Sequence, residues 1–150
     1  MKIKQINKQI IDWYESRKKG KAKLAGFKDK GKTYITDGFV CYILNDEDFY
    51  IDFKDLGKSE FLLDMAKAVG EDELVNTNEM IKEEGKLINL YVYQEDKETV
   101  VGIDSKFLKY FENYTLKSIK GKDDLPVGIF EEDELVGIVF PVRLADKDDR

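Results

Sequence analysis

The chain has 150 residues, 42% of them hydrophobic and 37% charged, a balance that supports one compact core and not two. It holds no histidine and a single cysteine, Cys41, which excludes histidine-based triads and dyads, imidazole zinc sites and any internal disulfide. With 31 acidic and 25 basic residues the net charge is −6 and the pI about 4.9, so bulk charge does not favour polyanions.

Cys41 sits in an apolar run and reads as a small buried hydrophobe in a reducing cytosol. No stretch approaches the roughly 18 apolar residues of a membrane span, and the amino terminus lacks the apolar core of a secretion signal. The expectation is a cytoplasmic chain without membrane contact.

Apolar residues at Ile3, Ile6, Ile10 and Trp13, widened by Ile11 and Tyr14, repeat at helical spacing and predict an amphipathic helix to about Lys19, stopped by Gly20. Arg17, Lys18 and Lys19 fall in its last turn, where cations offset the carbonyl end of the helix dipole. Residues 24–28, 33–36, 39–44 and 49–53 are rich in aromatic and β-branched side chains. Gly31, Gly38 and the acidic turn 45–48 punctuate them, so they read as antiparallel strands. A second helix follows from Ser59 as N-cap, with an apolar face of Phe61, Leu62, Met65, Ala66 and Val69 and Gly70 as its stop.

Residues 71–84 read as a loop with a short helix around Met80. Residues 87–93 alternate as a strand, and 99–103 pair back on it. Asp104 and Ser105 offer caps to a third helix with Phe107, Leu108 and Phe111 inward. Strands over 115–120, 127–131 and 135–144 complete the chain. The last carries Val136, Ile138, Phe140, Val142 and Leu144 on one side, with Pro141 marking an edge or an end. Strands that mostly follow one another without crossover helices define an α+β fold, an antiparallel sheet with helices packed on one face.

Charge is segregated. Residues 1–32 hold eleven Lys/Arg against three acids, a local charge of +8, so the rest of the chain carries −14. A basic first fifth on an acidic body suits a localised contact with phosphates, without sequence selection. Glycine-rich phosphate loops are absent. The acidic turns 45–48 and 131–134 lack the glycine and glutamate positions of an EF-hand and read as solvated, so no metal site is assigned. One constellation points to chemistry: Asp37 opens a strand, Asp52 and Lys54 share a face of the next, and Glu15 lies on the first helix. That set resembles the degenerate PD-(D/E)xK nuclease pattern, in which carboxylates hold Mg²⁺ and a lysine helps activate water, although the proline before the first aspartate is missing.

From Ile103 onward the residues Ile103-Asp104-Ser105-Lys106-Phe107-Leu108-Lys109-Tyr110-Phe111, the strand pair around Val127-Gly128-Ile129-Phe130, and Leu135-Val136-Gly137-Ile138-Val139-Phe140-Pro141-Val142-Arg143-Leu144 resemble the closing half-repeat of a bacterial DNA sliding clamp. The resemblance covers about forty residues. It implies a single clamp-like domain, with residues 1–56 as a first half, 57–98 as a divergent middle, 99–144 as a second half and 145–150 as a frayed tail. It further implies a non-enzymatic protein of DNA replication, or a phage or mobile-element adaptor. Phe140, Pro141, Val142, Arg143 and Leu144 would then bind partner proteins with short hydrophobic motifs. Lys4, Lys8, Arg17, Lys18, Lys19, Lys106 and Lys109 would face the phosphates of double-stranded DNA. Clamps carry three such domains per chain, so encircling a duplex here calls for self-assembly into a homo-oligomer.

Overall fold

The computed structural model describes residues 1–18, 24–52, 59, 61–122 and 124–144, Lys18 by its backbone alone. The chain runs α1 (Ile3–Lys18), β1 (Ala25–Asp29), β2 (Lys32–Thr36), β3 (Val40–Asn45), α2 (Phe61–Ala68), β4 (Asp72–Glu83), β5 (Lys86–Tyr93), β6 (Val101–Asp104), β7 (Tyr114–Ser118), β8 (Val127–Glu131) and β9 (Glu134–Val139). The strands form one antiparallel sheet in the order β1-β2-β3-β9-β8-β7-β4-β5-β6. The class is α+β.

Two-residue turns set the register of three hairpins. Lys30-Gly31, Glu84-Gly85 and Glu132-Asp133 all have positive φ, and each lies between a strand-end pair: Asp29 with Lys32, Glu83 with Lys86, Glu131 with Glu134. Turns of this hand match the twist of the flanking strands. The meanders β1-β2-β3 and β7-β8-β9 then join through the ladder Val40–Val139, Cys41–Ile138 and Tyr42–Gly137, giving the six strands a palindromic order about the β3/β9 seam. Strands β4 to β6 extend the sheet beyond β7. The chain after β9 returns to the far edge, where the Val142 amide donates to the Gly102 carbonyl of β6 at 2.7 Å. The sheet is thereby curled around its main core.

Alternation sorts the side chains. Ile35, Val40, Tyr42 and Leu44 join Ile6 and Ile10 of α1 in the larger core, while Tyr34, Cys41, Ile43 and Ile138 join Leu62 and Met65 of α2 in a smaller one. The two helices therefore cover opposite faces, and the expectation of helices on a single face is corrected. What shares the α1 face is the segment before β7, which contributes Leu108 and Phe111 to the same core.

Four further expectations change. Residues 49–52 form no strand: beyond a 3₁₀ turn at Asp46–Asp48, the buried Asn7 side chain donates to the Asp48 carbonyl at 2.8 Å and accepts the Tyr50 amide at 3.0 Å. Those backbone groups are satisfied by α1 and not by a ladder. Residues 71–84 are not a loop with a helix but chiefly the strand β4, whose hairpin partner is β5. The third helix is reduced to a 3₁₀ turn, Ser105–Phe107, capped by Asp104 through the Lys106 amide at 3.2 Å. Successive i→i+3 bonds from Leu108 to Ser105 and from Phe111 to Leu108 still carry those side chains into the core. Lastly, a register shift opposite Ile129/Phe130 puts Val136 in the α1-side core and Leu135, Ile138 and Phe140 in the α2-side one. The strand expected over 135–144 stops at Val139, before Pro141, so the proline marks an end and not an edge.

Gly70 serves close approach and not a left-handed cap. Its φ is not positive, and a Cβ there would lie 2.2 Å from the Ser118 carbonyl oxygen. Gly70→Ala is expected to cost about 3 kcal/mol, the upper end of an overpacking defect. Urea unfolding measures it, and a loss below about 0.5 kcal/mol would contradict the packing described.

Candidate binding surface at the carboxyl-terminal segment

Of the five residues expected to bind partners, Phe140, Pro141, Val142 and Leu144 are half-buried and Arg143 is exposed. The structure splits the strip. Phe140 packs on the α2-side core and donates its amide to the Phe39 carbonyl at 3.1 Å. Val142, Arg143 and Leu144 instead line a cleft of about 290 Å³ with Glu83, Glu84, Lys86 and Ile88. Leu144 closes over Gly102, where a Cβ would meet its Cδ2 at 2.8 Å. The opposite wall of the cleft is the tip of the β4–β5 hairpin, which sequence reasoning did not supply. The Gly85 turn followed by an alternating strand was the available signal.

The basic residues divide similarly. Lys4 and Lys8, one turn apart, are exposed on α1 together with Asp12 and Glu15, so that face carries mixed charge. Arg17 is half-buried, and only the backbone of Lys18 is described. Lys19 lies outside the described residues. Lys106 and Lys109 stand on the segment after β6 and not on a helix, each ammonium over the next ring: 5.0 Å from the Phe107 centroid and 4.9 Å from that of Tyr110. The Lys2 amide donates to the Tyr110 carbonyl at 2.8 Å, which joins this segment to the start of α1.

The carboxylates of the nuclease pattern are placed otherwise. Asp37 Oδ1 accepts the Phe39 amide at 2.9 Å and the Val40 amide at 3.1 Å, the bonding of an Asx turn. It precedes β3, whereas Asp52 follows it, exposed. Lys54 lies outside the described residues. Among the described residues no group of three His, Cys, Asp or Glu is arranged to hold a metal ion, and no described helix is long and apolar enough to cross a membrane.

A second cleft, about 390 Å³, is lined by Met1, Lys32, Asp48, Glu112, Glu131, Glu132 and Glu134 among others. Two of its acids, Glu131 and Glu134, are internally engaged. The amino-terminal ammonium is 2.7 Å from Glu131 Oε1, Glu131 Oε2 accepts the Glu112 amide at 2.8 Å, and Lys32 pairs with Glu134.

Comparison of the chain with protein-family models, with curated proteins and with solved structures gives no match.

Burial sets the titration of the core. It pushes the Cys41 thiol and the Tyr91 phenol up to about 12 and raises Tyr42 and Tyr34 as well. A thiol so shifted is a poor nucleophile at neutral pH. Since the folded state holds these protons above the ordinary values of 9.0 for the thiol and 10.0 for the phenols, their contribution to stability is complete below about pH 9. It is lost as the pH rises toward about 12. The urea midpoint is expected to fall steadily from about pH 9 upward, and a midpoint unchanged to about pH 11 would contradict the burial.

Proposed function

We propose that the chain is a non-enzymatic, clamp-like binding domain that seats a short hydrophobic segment of a partner protein in the cleft beside residues 140–144, and meets nucleic-acid phosphates with the lysines near α1. The observation that carries the reading is the cleft itself. Apolar atoms of Val142 and Leu144 stand half-exposed beside Ile88, and covering such surface yields about 25 cal/mol per Å². Arg143 and Lys86 at the rim suit the carbonyls or carboxylate of an extended peptide. The clamp-like reading draws on the palindromic pair of three-strand meanders, each preceded by a segment packed on the same face. The nuclease reading has less support, because Asp37 Oδ1 is taken up by its own turn.

A fluorescein-labelled clamp-binding peptide titrated with the full chain tests this. Leu144→Ala is expected to weaken binding about tenfold, as about 1.4 kcal/mol of lost contact does. Lys4→Gln with Lys8→Gln is expected to leave peptide affinity unchanged. A peptide that does not bind, or that binds Leu144→Ala as well as the parent, contradicts the proposal.

A further inference from the structure

Phe39 is 61% exposed, yet its backbone is tightly held. Asp37 Oδ1 accepts its amide, Thr36 Oγ1 donates to the Val40 carbonyl at 2.7 Å and accepts the Gly38 amide at 2.9 Å, and the Phe39 carbonyl accepts the Phe140 amide. Gly38, at φ +100, supplies a conformation other residues rarely adopt. The ring so presented stacks on Phe107 at 6.1 Å with 7° between the planes. From Phe107 the chain continues the motif Lys106-Phe107-Leu108-Lys109-Tyr110, in which an ammonium lies over each ring. The Lys106 side chain is 60% exposed, its Nζ 3.6 Å from an Asp104 carboxylate that is itself 5% exposed. The Tyr110–Lys2 bond brings the start of α1 beside this segment.

We infer that Phe39, backed by the half-buried Phe107, forms a stacking platform for the bases of single-stranded nucleic acid, whose phosphates are met by Lys106 and Lys109. The inference rests on the phosphate-contact part of the proposed function and replaces duplex by single strand as the ligand. A flat exposed ring such as Phe39 accepts any base, since every base offers a π-face, and neighbouring cations follow the backbone. A duplex hides those faces in its stack and offers phosphates and groove edges, so it can use the lysines but not the ring.

Fluorescence anisotropy of the full chain with a labelled oligothymidylate of about 15 nucleotides, beside a duplex of equal length, tests it. The single strand is expected to bind at least about tenfold more tightly. Phe39→Ala is expected to cost the single strand about tenfold and the duplex nothing, and Phe39→Trp to retain affinity. Lys106→Gln is expected to weaken both ligands and to lower the salt slope by about one. Equal affinity for the two ligands, with Phe39→Ala silent, overturns the platform while leaving lysine–phosphate contact in place. No binding of either ligand overturns platform and phosphate contact together. If instead Phe39→Ala weakens the clamp-binding peptide and no oligonucleotide binds, the rings serve a protein partner and the inference fails.

Discussion

Burial of β3 on both faces is the constraint on which the rest of the structure depends. Val40, Cys41, Tyr42, Ile43 and Leu44 are all buried, so this strand must be covered twice, by α1 on one side and α2 on the other. Tyr42 shows how tightly the α1 side closes. Its ring stacks on Trp13 at 5.6 Å and tilts against Phe111 at the same distance, and its hydroxyl donates to Gln9. Phe111 in turn lies over Gly137 of β9, where a Cβ would meet its Cζ at 2.5 Å. The two meanders are thus locked by a short ladder and by an aromatic wedge that tolerates no side chain at its foot.

From that seam the two candidate surfaces follow. The chain leaving β9 reaches the outer edge at β6 and holds one wall of the cleft, while the β2–β3 turn, tied by Phe140, lifts Phe39 toward Phe107. Each surface joins elements distant in sequence, so each exists only when the sheet has curled. Exposed edges are meanwhile blunted. Strand β4 pairs with β7 through only Asp72 and Glu73. The rest of it carries Lys82 and an irregularity at Asn78, whose φ is +63, features that discourage further strand pairing.

Much of the architecture was legible in the sequence because it rests on periodicity. The spacing of Ile6, Ile10 and Trp13 gave α1, alternation gave β5, and Pro141 marked the end of β9. The failures have physical causes. In β4 only Leu74 is buried, so its alternation left no mark, and the strand is fixed by its hairpin with β5. The spacing of Phe107, Leu108 and Phe111 fits a helix as well as the consecutive 3₁₀ turns that form. Residues 49–52 have strand composition, but Asn7 takes the Asp48 carbonyl and the Tyr50 amide. At the surfaces, the apolar character of residues 140–144 was readable whereas the split between Phe140 and Leu144 was not, since it depends on where β9 stops. Asp37 drew a catalytic reading through its spacing to Asp52, and its Oδ1 also holds the turn two residues ahead, a role that spacing alone does not reveal.

The most direct test of the β3/β9 lock is native-state hydrogen exchange followed by NMR. The amides of Cys41, Tyr42, Ile138 and Val139 are expected to exchange only through global unfolding, with a free energy equal to that from urea denaturation. Exchange of β2 and β3 through a smaller opening, while β7 to β9 stay protected, would contradict the account, since the two meanders would then be separable units.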